Sequence, residues 1–238
     1  MEILYYKSLA NTNTTLLELS KKNAKHLTAL WTDNQSEGRG YAGNKWMGRA
    51  GENIALSLLT VSDLGYNELV YFNQWISVVV ADILKAHTPE IYVKWPNDII
   101  ADDNKLCGIL IETRRSDNLL YVVSGIGINV NQVHFENQPK AVSLSMLTGQ
   151  KFDLKKMVSD ILAGLVDRYS QIENKDWHNI SKAYEDRLYK KNEICSFKSA
   201  HGLFEASIEG VSSEGELILK TSDGIERKFV HKSIEMLY

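Results

Sequence analysis

Residues 91–130 read IYVKWPNDIIADDNKLCGILIETRRSDNLLYVVSGIGINV. Apolar, β-prone runs (IYVKW, PNDII, KLCGILIETRR and LLYVVSGIGINV) are separated at ADDN and SDN by short polar clusters. Strand-forming segments punctuated by Asp and Asn pair with their neighbours through tight turns, so the stretch predicts an antiparallel meander. Pro96 removes one ladder donor and restricts Trp95 to extended backbone. KWPND is therefore a strand edge or bend, with Lys94, Asn97 and Asp98 clustered around it.

Before the meander, ELVYFNQWISVVVADILKAH is long and apolar enough for a buried helix. Two further strands, in HLTALWTDNQ and NIALSLLTV, flank a glycine-rich loop, and EILYYKSL followed by NTTLLELSKK reads as a strand, a turn and a helix with Leu16 and Leu17 on one face. After it come two helical patterns, LKKMVSDILAGLVDRYSQIE and DWHNISKAYEDRLY. EICSF, GLFEASIEGV, GELILKT and IERKFV then return to short strands. The fold class is α+β, a mixed, mainly antiparallel sheet with helices, and the last strands form a small barrel. We place the boundary near Lys190, giving units of 1–190 and 191–238.

A chain of 238 residues with 44% hydrophobic and 24% charged residues and a net charge of −3 has the composition of a soluble globular protein, not of a polyelectrolyte coat for nucleic acid. The N-terminus lacks the basic and apolar regions of a secretory signal, and no apolar run approaches the roughly 20 residues that span a bilayer. The expectation is a cytoplasmic protein with no membrane partner. Cys107 and Cys195 show no metal or disulfide spacing, and the six histidines are scattered singly, so no metal site is expected and the histidines read as surface and loop residues.

Four segments can carry chemistry: the polar corner at KWPND and three others. In QSEGRGYAGNKWMGRAGE, glycines at 38, 40, 43, 48 and 51 let the backbone approach a ligand closely, and Arg39, Lys45 and Arg49 suit an anion. The order fits neither a Walker loop nor a dinucleotide fingerprint, and a solvated hairpin is the competing explanation. Trp46 favours packing against something flat or apolar. In KLCGILIE, strand alternation puts Lys105 on the side of Cys107, Ile109 and Ile111, where an ammonium needs an anionic or carbonyl partner unless it snorkels to water. Gly108 offers bare backbone to a ligand. Gly125 and Gly127, followed by Asn129, leave a slot without side chains on one strand face, or else mark a bulge. With no GxSxG elbow, P-loop or Cys/His signature, catalysis is expected to work by positioning and charge stabilisation.

NTN, QSEGRGYAGNKW, KWPNDI with KLCGILIE, and GIGINV, in that order, resemble the biotin protein ligases, the biotin–[acetyl-CoA-carboxylase] ligases. The resemblance covers nearly the whole chain, including the family's C-terminal SH3-like barrel. It implies that biotin and MgATP give biotinyl-5′-AMP and pyrophosphate, and that biotin then passes to a lysine of a biotin carboxyl carrier domain. ATP and Mg2+ are co-substrate and ion, and no tightly bound cofactor is implied. Asn11, Thr12, Asn13 and Gln35 would lie by the ureido ring and Gly125 and Gly127 would wall the biotin slot. Gly38, Arg39, Gly40 and Tyr41 would close over it, with Gly108 beneath. Lys105, with Arg39, would be the catalytic clamp on biotin carboxylate and adenylate phosphate. Trp46, Lys94, Asn97 and Asn129 would serve the ATP side.

The chain departs from the family pattern where Asn11-Thr12-Asn13 replaces Ser-Thr-Asn, and where Tyr41 and Asn44 stand in place of loop arginines. Tyrosine is no bidentate phosphate partner, so Arg39, Lys45 or Arg49 compensates or the adenylate leaks. The catalytic motif begins near residue 11, so the resemblance is to the monofunctional form without an N-terminal DNA-binding domain, and no nucleic acid partner is expected. A homodimer is left open. Lipoate or octanoate attachment is the alternative chemistry on this fold, and a non-catalytic biotin sensor is the alternative class.

Overall fold

The computed structural model describes residues 1–22, 24–136 and 138–237. Strands β1 (Glu2–Tyr5), β2 (Thr28–Thr32), β3 (Asn53–Ser62), β4 (Ile91–Lys94), β5 (Asp98–Ala101), β6 (Asn104–Ser116) and β7 (Leu119–Asn129) build one sheet in the order β1-β2-β3-β7-β6-β5-β4. β1 is parallel to β2, and the other neighbours pair antiparallel. The expected meander is β4 to β7, with turns at Asp102–Asp103 and Asp117–Asn118. Asp102, Asp103 and Asp117 take the left-handed backbone conformation that Asp tolerates better than most residues.

Strand alternation gives the sheet two different faces. Ile54, Leu56 and Leu58 of β3 and Ile126 and Ile128 of β7 enter the main core with Phe72 and Trp75 of α2 (Leu69–Lys85) and Ile161 of α4 (Leu154–Asp167). Leu59 and Val123 point the other way, onto Leu16 of α1 (Thr12–Lys21). Because α1 is only 10 residues long, it covers just one end of that second face. The rest, over β3, β7, β6 and β5, is where the glycine-rich loop lies. Short α3 (Leu144–Thr148), α5 (Ser170–Glu173) and α6 (Trp177–Glu185) complete the helices, and α6 packs on α2.

The C-terminal sheet contains β8 (Ile194–Ser199), β9 (Gly202–Val211), β10 (Leu217–Thr221), β11 (Glu226–Phe229) and β12 (Ile234–Leu237), in the order β11-β10-β9-β8-β12. All its paired neighbours are antiparallel, as an SH3-like barrel requires. Its apolar residues Phe197, Ile208 and Leu219 belong to the same core cluster as Tyr184 and Leu188. Both α3 and β12 went unread in the sequence.

One expectation is overturned. Lys105 does not share a face with Cys107, Ile109 and Ile111, because the β5–β6 register shifts: Ile99 opposes Cys107, whereas Ile100 opposes Lys105. The intervening Leu106 is an extra residue, a bulge that reverses the alternation. Leu106 and Cys107 are consequently both fully buried in the main core, and Lys105 emerges on the opposite face with Gly108.

Candidate active site

A cross-strand row forms the floor of the site. Thr32, Ala55, Gly127, Gly108, Asp98 and Lys94 face one another in turn across β2, β3, β7, β6, β5 and β4. Its centre is bare because Ala55, Gly127 and Gly108 carry almost no side chain, and polar groups stand at either end. The Trp46 ring rests on this bare patch. A Cβ at Gly127 would lie 2.4 Å from Trp46 Cε2, so only glycine permits the contact.

The loop above is a small hairpin. Arg39 and Lys45 form an antiparallel bridge, Trp46 N donates to Gly38 O at 3.0 Å, and Gly40 N donates to Asn44 O at 2.7 Å. Gly38 is required here too, since a Cβ on it would lie 2.2 Å from Trp46 O. The base of the hairpin is tied down where Arg49 N donates to Gln132 Oε1 at 2.9 Å. Gln132 also accepts from Asn53, whose own oxygen receives Val130 N at 3.0 Å.

At the α1 end the side chains form a polar pocket. Asn11 caps α1 by accepting from Thr14 N at 2.9 Å and reaches across to donate to Glu37 O at 3.0 Å. Gln35 Oε1 accepts from Thr12 N at 2.8 Å, and Ser57 donates to Asn13 Oδ1 at 2.6 Å. Asn13 Nδ2 donates to Glu112 Oε2 at 2.8 Å, and Arg39 bonds Thr14 Oγ1 at 2.7 Å and pairs with Glu112 Oε1 at 3.2 Å. Arg39 is thus held by a carboxylate. Asn13 lies under Gly125, where a Cβ would meet its Oδ1 at 2.5 Å.

Lys105 stands between this pocket and the bend at 94–98. Its Nζ pairs with Asp98 Oδ1 at 2.6 Å and lies 5.9 Å from the Trp46 ring centroid. Burial, reinforced by the neighbouring Lys105 cation, lowers the pKa of Lys94. Asn97 donates to Ile109 O from the edge of the cavity. Cys107, beneath the floor, has its thiol pKa raised by burial and is no nucleophile.

The structure gathers Asn11, Thr12, Asn13, Gln35, Arg39 and Gly40 around one cavity. Tyr41, Trp46, Asn97, Lys105, Gly108, Gly125 and Gly127 complete its predicted lining. Gly38, Lys94 and Asn129 stand outside that lining. Gly38 supports Trp46 from the far strand of the hairpin, Lys94 faces a second cavity, and Asn129 is buried with its amide donating to Lys105 O at 3.3 Å. Sequence reasoning missed Ser57, Glu112 and His231. Ser57 left one signal, a hydroxyl set within the apolar run Ile54–Leu59. His231 is a loop residue, as expected of the histidines, but it is half-buried and lines the cavity from the turn between β11 and β12.

The cavity is only about 120 Å³, well below the roughly 300 Å³ at which small-molecule sites begin. Trp46 and the hairpin occupy the space above the glycine floor. Among the described residues no cluster of three or more His, Cys, Asp or Glu side chains is gathered for a metal, and no helix is long and apolar enough to cross a membrane.

Comparison with known proteins follows the same geography. The bifunctional ligase/repressor BirA of Bacillus subtilis is 30% identical over 231 residues, which cover 94% of this chain and 71% of that protein. The biotin–[acetyl-CoA-carboxylase] ligase of Paracoccus denitrificans is 27% identical over 232 residues, 91% of this chain and 94% of the relative. Among solved structures, the biotin protein ligase from Aquifex aeolicus in complex with biotin and ATP superposes with a TM-score of 0.80 at 24% identity, over 99% of this chain and 98% of the other. The Biotin/lipoate A/B protein ligase family matches residues 5–129, from the end of β1 to the end of β7. As that stretch holds both the glycine floor and the hairpin that roofs it, and the likeness to relatives runs on through the C-terminal sheet, this chain belongs to the Biotin/lipoate A/B protein ligase family.

Proposed function

We propose that the protein activates biotin with MgATP to biotinyl-5′-AMP and transfers the biotinyl group to a lysine of a biotin carboxyl carrier domain, in the cytoplasm. The observation that carries this assignment is the position of Lys105: an ammonium on a bare glycine floor, 2.6 Å from Asp98, between a closed polar pocket and an indole. A ureido ring offers both N–H donors and a carbonyl acceptor, which suits the Thr12, Asn13 and Gln35 network better than an alkyl chain does. Biotin's carboxylate then points to Lys105. Its oxygen attacks the α-phosphorus, the bond to the β-phosphate oxygen breaks, and pyrophosphate leaves. Lys105 offsets charge on carboxylate and phosphate without taking a proton. In this assignment Trp46 gives up the floor and covers the adenine, and the hairpin shields the mixed anhydride from water. The acceptor amine later attacks the acyl carbon and AMP departs.

Residues 1–190 would be the catalytic unit and 191–238 the barrel. Biotin-dependent ATP–pyrophosphate exchange by the purified chain is the test, with lipoate and octanoate as competing acids. Exchange with biotin alone, lost in Lys105→Ala, is the expected result; exchange driven by lipoate or octanoate instead would overturn the assignment.

A further inference from the structure

His231 lies in the turn between β11 and β12, yet it lines the same cavity as Lys105 and Asp98. Its ring centroid is 4.4 Å from that of Tyr41 at the tip of the hairpin, with the planes tilted by 53°. On another side it meets Trp95 edge-on at 5.5 Å. Trp95 is in turn fixed by its indole N–H, which donates to Gly215 O in the turn between β9 and β10 at 2.9 Å. One imidazole therefore touches the glycine-rich hairpin and the bend between β4 and β5 while its own backbone belongs to the barrel.

Hydrogen bonding does not account for that placement. His231 Nδ1 is shielded from solvent and has no hydrogen-bond partner among the described residues, which is unfavourable for a ring nitrogen. Packing between rings is what the position provides. Tyr41 stands where the resemblance leads one to expect a loop arginine, and a tyrosine offers a ring face rather than a cationic fork.

Building on the biotin ligase assignment, we propose that His231 is a positioning residue for adenylate formation: packed ring against ring on Tyr41, it holds the hairpin tip down over Lys105 and makes closure depend on the seating of the C-terminal sheet. An arginine would close the loop by gripping phosphate. This chain closes it by an aromatic latch from the barrel.

The test compares wild type, His231→Ala, His231→Phe, Tyr41→Ala and the His231→Ala/Tyr41→Ala double variant as full-length chains. Two rates are measured: biotin-dependent ATP–pyrophosphate exchange, and escape of biotinyl-AMP formed in situ into solution. Loss of one aromatic pair shifts an equilibrium by roughly two- to tenfold, so His231→Ala should raise escape by about that factor. His231→Phe should restore retention, since it keeps a ring. Tyr41→Ala, at an exposed position on the hairpin, should leak as His231→Ala does, and the double variant should be no worse than either single. Equal escape from all variants with exchange intact, a His231→Phe variant as leaky as His231→Ala, or additive single effects would each overturn the latch. Absence of exchange in the wild type would instead overturn the ligase assignment, and the latch with it.

Discussion

Lys105 reaches the floor of the site because β6 carries one residue too many. Leu106 takes the buried position that alternation would have given to its neighbour, and the ammonium turns toward Asp98. If Lys105 offsets charge on carboxylate and phosphate as proposed, Lys105→Ala should lower the rate of pyrophosphate exchange by about 10²–10³, the usual loss of a preorganised donor, with little change in thermal stability. Lys94 supplies a pH test. Burial lowers its pKa, so in the free protein it loses its proton at a lower pH than the ordinary lysine value of about 10.4. A polyphosphate bound beside it favours the charged form and pulls the proton back on. ATP affinity should therefore weaken as pH rises through that alkaline window, and Lys94→Arg should flatten the dependence, since guanidinium keeps its charge there. Calorimetric titrations with ATP across the window would decide, and an unchanged slope in Lys94→Arg would remove Lys94 from the ATP side.

At the scale of elements, the start of α1 does two jobs at once. Asn11 caps the helix through its oxygen and holds Glu37 O, just before the hairpin, through its nitrogen. Asn11→Ala should cost about 1 kcal/mol in a denaturant titration, the typical value of an N-cap. Asn11→Asp keeps the acceptor and removes the donor, so it should recover stability while still binding biotin more weakly; equal biotin affinity in Asn11→Asp and wild type would show that the tether to Glu37 is idle. The elements themselves were legible where a pattern repeats over several residues, as in β6, β7 and α2. They were not where one residue decides. A bulge at Leu106 leaves no trace in apolar spacing, because Leu106 and Cys107 are apolar whichever way they face. Glu112 is one polar residue within a long strand and carries no pattern of its own, yet its carboxylate is what joins Asn13 to Arg39. His231 could not be found from its neighbours in sequence, because Tyr41 and Trp95 meet it only after two sheets have come together.

The two sheets are joined by more than a linker. The segment leaving α6 covers the outer edge of β4, with Val93 N donating to Arg187 O at 2.8 Å and Tyr189 N donating to Val93 O at 2.9 Å. A few residues later Asn192 N donates to Ile208 O at 2.8 Å in β9, so one stretch of chain pairs with both sheets. An uncovered strand edge invites pairing with other chains, and here the path into the barrel covers it. The apolar core is also continuous, running from Val93 through Leu188 to Phe197 and Ile208. Cores that share side chains unfold together. The full chain should therefore show a single transition in urea, coincident by tryptophan fluorescence and far-ultraviolet circular dichroism. A chain ending at residue 190 would lose Phe197 and Ile208 from the core cluster they share with Leu188, and the Gly215 carbonyl as acceptor for Trp95. With roughly 1.5–3 kcal/mol for each large apolar side chain returned to water, and about 2–4 °C per kcal/mol for a chain of this size, its Tm should fall by roughly 10 °C or more. Two separated transitions in the full chain, or an unchanged Tm in the shortened one, would mean that the barrel is an independent unit and that the ring contacts of His231 join two bodies free to part.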